Sequence, residues 1–469
     1  MRANFFPKYF NFLGFKWQSF CLVLWCLLGL GLASCGNEEK PPVPFSPAVS
    51  SASNLTSPGK TSPSSLTAIV TPIKSAVAAT AGPLSVTALP NVAPTGTLAV
   101  VQDGRLLLVK ADGTSKEVAD LGGDLSDKLV LRWSPDGNRF LLNEASRKLS
   151  LLESDGKRTP LLELDPANEK IGLISWAAGG KFLAFERIPA GERGREMRGQ
   201  IWVADLSDPV KPTLQAAVDG FAPTFSPDGR NLAYVSYGRD VSEQGVVFNN
   251  AINITTVNGK QSRQVLDVDQ LTDYRSPDGQ VFELKPTLFN ALSWSADGRS
   301  LAFQDGRNLV GSVASTGGKV RVWWYNATKE AGRVSNLVWS ARNDRVSFNF
   351  VTDSDKTRSR LMLADTSGKA LPLVGDCPEW SPDGSLLAAT TGKELNIVRA
   401  SDQQIYGSVK TSGCPIWSPD GVWLAVSPEN GPEVGKGILI VHPDGSEFRP
   451  LAPTSLNPTR QLKVLGWKK

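Results

Sequence analysis

One five-residue stretch limits what this chain can fold into more than any other feature. Trp133-Ser134-Pro135-Asp136-Gly137 returns along most of the sequence, whole or eroded. It is intact at 380–384 and 417–421. It differs by one residue in Phe225-Ser226-Pro227-Asp228-Gly229 and in Trp294-Ser295-Ala296-Asp297-Gly298. Trp176-Ala177-Ala178-Gly179-Gly180 and Trp339-Ser340-Ala341-Arg342-Asn343-Asp344 are weaker copies. Copies stand roughly 37 to roughly 69 residues apart, mostly near 45, the spacing of a four-stranded propeller blade. The chemistry of each copy is that of a tight turn. Proline pre-sets φ, aspartate accepts from nearby backbone N–H groups, and glycine takes positive φ without strain. Asp136, Asp228, Asp297, Asp383 and Asp420 therefore read as turn-formers rather than catalytic carboxylates.

A short apolar run precedes each aromatic, and a second follows each turn, as in Phe140-Leu141-Leu142 and Leu301-Ala302-Phe303. Third runs such as Ile201-Trp202-Val203-Ala204 and short fourth ones complete a four-stranded antiparallel unit. One such sheet cannot bury both faces alone, whereas units stacked radially about an axis can. The repeat, a W-S-P-D-G core followed by an L-A-F-like strand, resembles that of TolB-like, WD-repeat-like β-propellers over about residues 97–469. The resemblance implies an all-β propeller and protein partners in the cell envelope, without naming one. Glycine directly follows the aspartate, so the motif is not the S-x-D-x-G box of sialidases.

The ends of the repeat region fit one another. Thr97-Leu98-Ala99-Val100-Val101 reads as a second strand with no first strand before it, and Leu462 to Trp467 as a first strand with nothing after it. Pairing the two closes the circle. Counting Trp133, Trp176, Phe225, Trp294, Trp339, Trp380, Trp417 and Trp467 as first strands predicts eight blades, with seven the alternative if one worn unit is not a blade.

Residues 1–34 carry Arg2, Lys8 and Lys16, no acid, and an apolar run at 20–32 too short for a comfortable membrane span. The run ends in Leu32-Ala33-Ser34-Cys35, which resembles a bacterial lipobox. That resemblance implies cleavage before Cys35, a lipid on its thiol, and an extracytoplasmic protein anchored on the outer face of the plasma membrane or on the outer membrane. Residues 35–96 are rich in Pro, Ser, Thr and Ala, and read as a disordered tether with an r.m.s. reach of roughly 45 Å. Residues 97–469 form the propeller.

Removing the leader takes three positive charges from the formal +4 and leaves about +1, so no electrostatic case exists for nucleic acid. The single histidine, His442, reads as a surface residue, and no cofactor, metal site or catalytic set is expected. Cys377 and Cys414 each sit three residues before a motif tryptophan, in consecutive blades. Equivalent inner-strand positions could meet near the axis, yet packed sheets stand about 10 Å apart and a disulfide needs Cα atoms within about 7 Å. The bridge stays open at this point.

In an up-down blade, the first-to-second and third-to-fourth turns lie on one face of the disc. The second-to-third loops and the links between blades lie on the other. The first set is short throughout. The long segments 187–199, 237–249, 351–360, 428–437 and the link 268–287 all belong to the second set. Its richest sector spans the third to fifth blades, with Arg193, Arg195, Arg198, Tyr237, Arg239, Tyr274 and Arg275, residue types suited to a protein, peptide or glycan surface. The expected function is thus a non-catalytic binding propeller tethered at the envelope. The alternatives are an envelope hydrolase or lyase using channel carboxylates, with Glu379 and Arg132 the nearest candidates, or a ligand-sensing propeller. No G-x-S-x-G elbow accompanies the repeats.

Overall fold

Each motif aromatic ends the innermost strand of a sheet. In the computed structural model, residues 93–468 are described with short internal gaps, the longest at 123–128, 190–198, 429–436 and 452–461. The leader, the tether and Cys35 lie outside the described residues. The second blade shows the pattern: Leu129–Trp133, Arg139–Glu144, Lys148–Glu153 and Arg158–Glu163 pair antiparallel in chain order. Eight four-stranded sheets of this kind make an eight-bladed propeller. Both worn copies head true blades, through the inner strands Glu169–Trp176 and Gly332–Trp339. An aromatic and a positive-φ residue are enough to hold the turn, since Gly180 (φ 69°) and Asn343 (φ 61°) fill the glycine's role there.

The first blade is completed from the far end of the chain. Leu462–Lys468 pairs antiparallel with Thr97–Gln102, setting Trp467 opposite Leu98 and Leu462 opposite Gln102. The Trp467 indole N–H donates to the Thr95 carbonyl at 2.8 Å.

Buried apolar side chains fall into eight clusters, and each lies between two consecutive blades. The sheets are thus glued face to face around the ring. The clusters differ in size. Among the described residues, 14 buried side chains, Phe289 and Phe303 among them, pack between blades four and five, whereas four (Leu361, Leu363, Leu387, Ala389), with Leu373 and Trp380 partly buried against them, lie between blades six and seven. Small residues in Leu386–Thr390 (LLAAT) account for the thinness of the latter.

The motif tryptophans also bond across the interfaces. Trp294 donates to the Thr224 carbonyl at 3.1 Å, Trp339 to Ser293 at 2.9 Å, and Trp417 to Glu379 at 3.0 Å. In each case the acceptor is the residue just before the aromatic of the preceding blade. Trp380 donates instead to the Ser347 hydroxyl of the preceding blade at 2.9 Å. Each such bond is worth about 1 kcal/mol net.

His442 is not a surface residue. Its side chain is 7% exposed, its ring meets Trp423 edge-on at 5.4 Å, and Nδ1 is 2.8 Å from the Asp444 carboxylate. The Pro443-Asp444-Gly445 turn brings Asp444 back over the ring, an arrangement that needs the neighbouring strand's Trp423 and is invisible in the local sequence.

Candidate functional site

The short-turn face is built from the motif itself. In each full copy the serine hydroxyl donates to the aspartate, at 2.7 Å for Ser295–Asp297 and Ser381–Asp383. The same bond joins Ser134 to Asp136, Ser226 to Asp228 and Ser418 to Asp420. Each aspartate also accepts the backbone N–H two residues on, as from Arg299 at 3.0 Å and Val422 at 3.1 Å. These bonds favour the charged form. The Ser226 and Ser295 hydroxyls hold Asp228 and Asp297 below the usual carboxylate range. Burial pushes Asp383 up, but Ser381, Ser385 and Arg342 outweigh it and bring the carboxyl down to about 2. The motif aspartates are spent on turn structure.

At the axis, on this same face, blades seven, eight, one and two surround a cavity of about 420 Å³. Its walls include Pro135, Pro382 and Pro419, and its charged groups are Asp136, Glu379 and Lys468. Glu379 precedes Trp380 on an inner strand and Lys468 follows Trp467, so both project where the inner strands converge. Crowding by the surrounding walls pushes the Glu379 carboxyl up to about 7, with Lys468 pulling the other way. The Glu379 side chain still meets solvent, because the channel mouth is open. The direction of the shift follows from the low-dielectric walls, and the open mouth tempers its size. Burial likewise lowers Lys468, opposed by Asp136 and Glu379. Arg132, the equivalent residue of blade two, is also lowered by the crowding of its surroundings.

The other face carries built elaboration. Blade four supports two extra two-stranded sheets, Val241–Ser242 with Gly245–Val246 in its second-to-third loop, and Asp273–Arg275 with Val281–Glu283 in the link to blade five. Asp267 opens that link with a capping box to Gln270. Tyr237 anchors the base of the region: its hydroxyl accepts from Gly199 N–H at 3.0 Å and its ring leans on Phe221 at 5.3 Å. Arg193, Arg195, Arg198 and Arg239 lie outside the described residues, and Tyr274 and Arg275 are placed only as backbone of the second hairpin.

Cys377 and Cys414 form a disulfide, with Cα atoms 5.3 Å apart. The distance is short because Cys377 sits in a left-handed bulge (φ 51°) that turns the inner strand toward its neighbour. Ala222 (φ 54°) and Asn336 (φ 54°) hold the matching bulge position in blades four and six.

Sequence reasoning missed Glu186. This carboxylate is 5% exposed and accepts from the Leu173 N–H at 2.9 Å and the Ala222 N–H at 2.7 Å, joining blade three to the bulge of blade four. Burial pushes it above the usual range, against those two donors and Lys170. It stitches the interface at which Phe225 offers no indole N–H. The faint signal is Gly172, where a Cβ would lie 2.1 Å from Glu186 Oε2. Among the described residues, no group of three or more His, Cys, Asp or Glu is placed to hold a metal ion.

No protein-family model matches the chain, and no curated protein does. Solved structures give distant likenesses. Dihydro-heme d1 dehydrogenase NirN is 13% identical with a TM-score of 0.46, covering 80% of this chain and 76% of that one. Oligogalacturonate lyase in complex with manganese is 11% identical with a TM-score of 0.44, covering 71% and 93%. A putative TolB from Agrobacterium tumefaciens is 16% identical with a TM-score of 0.32, covering 60% and 88%. Likeness at this level assigns no activity.

Proposed function

We propose that the chain is a non-catalytic, lipid-anchored extracytoplasmic propeller that binds a protein partner at the cell envelope through its elaborated face. The observation that carries this reading is the pair of added hairpins on blade four, set on the face opposite the uniform turns. Rigid scaffolds concentrate binding in such loops. The Cys377–Cys414 disulfide supports an oxidising compartment, and the lipobox-like Leu32-Ala33-Ser34-Cys35 supports a membrane anchor. The test is a crosslinked pull-down with the lipidated chain from its native envelope. A stoichiometric partner is expected, lost on joint charge reversal of Arg193 and Arg195 and retained on charge reversal of exposed Lys157. Retention through the loop reversal would move binding elsewhere. Labelled palmitate should enter the parent and not Cys35→Ala.

One arrangement favours a second reading, an envelope hydrolase or lyase: Glu379 and Lys468 line the same cavity, and its walls push the Glu379 carboxyl up to about 7, which suits proton transfer at neutral pH. Turnover of an envelope polymer abolished by Glu379→Gln would establish it.

A further inference from the structure

The cavity at the channel mouth has few groups left with which to bind anything, and these define its ligand. The indole N–H groups of Trp380, Trp417 and Trp467 are already committed, to Ser347, Glu379 O and Thr95 O. The tryptophans therefore offer only ring carbon to the cavity, as the three prolines do. The Ser418 hydroxyl donates to Asp420 and accepts from Trp423 N–H at 2.9 Å. Asp136 accepts from Ser134 and from Asn138 Nδ2 at 3.0 Å, and its carboxylate covers Gly180 of the next blade. Two groups remain. Among the described residues, neither Lys468 Nζ nor the Glu379 carboxylate makes a hydrogen bond, and the two do not close to ion-pair distance. Lys468 is held in place by its stem, which packs within 3.3 Å of where a Gly137 Cβ would stand.

One cation and one carboxylate, separated and without hydrogen bonds, thus face a cavity otherwise walled by proline, tryptophan and the turn residues Ser418 and Asp136, whose carboxylate also acts on Lys468. Water at the open mouth solvates both groups, and a ligand that supplies the opposite charges in one rigid unit can take its place. At about 420 Å³ the space falls in the ordinary range of small-molecule sites.

We propose that this cavity binds a small zwitterion, an α-amino acid with an apolar side chain, its carboxylate on Lys468 and its ammonium on Glu379. The side chain lies against Pro135, Pro382 and Pro419. A simple anion meets Glu379 as a like charge, and a simple amine meets Lys468. Only a molecule bearing both signs satisfies both walls. This site is on the opposite face from the proposed docking surface and does not depend on it.

The test is a calorimetric titration of the detergent-solubilised full chain with L-leucine, repeated with N-acetyl-L-leucine, which lacks the ammonium, and isoamylamine, which lacks the carboxylate. Saturable binding of L-leucine is expected, weakened about tenfold or more in each analogue and in Lys468→Met and Glu379→Gln. Lys468→Met keeps the stem that packs on Gly137, and melts of both variants check that they fold. If either fails to fold, the analogues on the parent chain decide. No saturation by about 10 mM L-leucine overturns the proposal. So does equal affinity for N-acetyl-L-leucine, or unchanged affinity in the folded variants. Because no protein partner is in the cell, failure here leaves the docking reading intact, and failure of the pull-down leaves this one intact.

Discussion

The interfaces on the two sides of blade six solve one problem with different means. Toward blade five, the fully buried Trp323 meets Trp339 edge-on at 5.2 Å inside a cluster of 11 buried side chains. Toward blade seven, the described residues give four buried small or aliphatic side chains with Leu373 and Trp380 partly buried against them, and the next interface, blade seven to eight, has seven and a disulfide. At the thinnest interface Trp380 bonds the Ser347 hydroxyl, and the disulfide lies one interface further on. A ring is only as closed as its weakest joint, so the thin sector needs ties that area alone does not supply.

The largest test removes a joint altogether. Deleting 462–468 takes away the inner strand of blade one and Trp467, and the cooperative thermal transition should be lost; a parental melt would show that the remaining seven joints hold the ring unaided. Next, Trp323→Ala on the thick side should cost about 3–5 kcal/mol by denaturant titration, the range for emptying a buried tryptophan site. One interface beyond the thin side, Cys377→Ala with Cys414→Ala opens a crosslink spanning 37 residues and should cost about 2–4 kcal/mol. A cost near zero would mean that the seven buried side chains between blades seven and eight hold that interface without the crosslink. Trp417→Phe, which deletes one cross-blade N–H bond and keeps most of the ring, should cost about 1–2 kcal/mol.

The smallest effect is one of pH. Glu379 sits near 7 in the folded chain against an ordinary 4.5, so folding takes up a proton between those values. Its contribution is therefore present in acid and is lost as pH rises through about 7. Glu379→Gln should flatten that fall, by no more than about 1 kcal/mol because the open mouth screens the charge. Melts of parent and variant with the same pH slope would show that the carboxyl is not raised.

Most of the fold was legible in the sequence because its cause is local and repeated. Trp-Ser-Pro-Asp-Gly forms its own turn whatever surrounds it, and even Trp176 and Trp339, stripped of most of the motif, still head blades. The unmatched strands at 97–102 and 462–468 announced the closure. What sequence could not show depends on neighbours distant in the chain. His442 looked exposed because its partner Trp423 is on another strand. The spacing between packed sheets argued against joining Cys377 to Cys414, since nothing local announces a left-handed bulge. Glu186 read as one more strand residue, yet the N–H groups that donate to it, from Leu173 and Ala222, come from two blades. The channel pair was half visible: Glu379 stood out beside its tryptophan, whereas Lys468 gained meaning only when the last strand came to rest beside the second blade.

The strand at 462–468 is also the last of the described strands to leave the ribosome. Until it emerges, Leu98 and Val100 have no fourth strand beside them, and the earliest-made sheet stays a three-stranded fragment with an open hydrogen-bonding edge. Closure therefore couples the first described strand to the last. A chain cut upstream of residue 462 leaves that edge unpaired, and such an edge is a template for pairing with other chains.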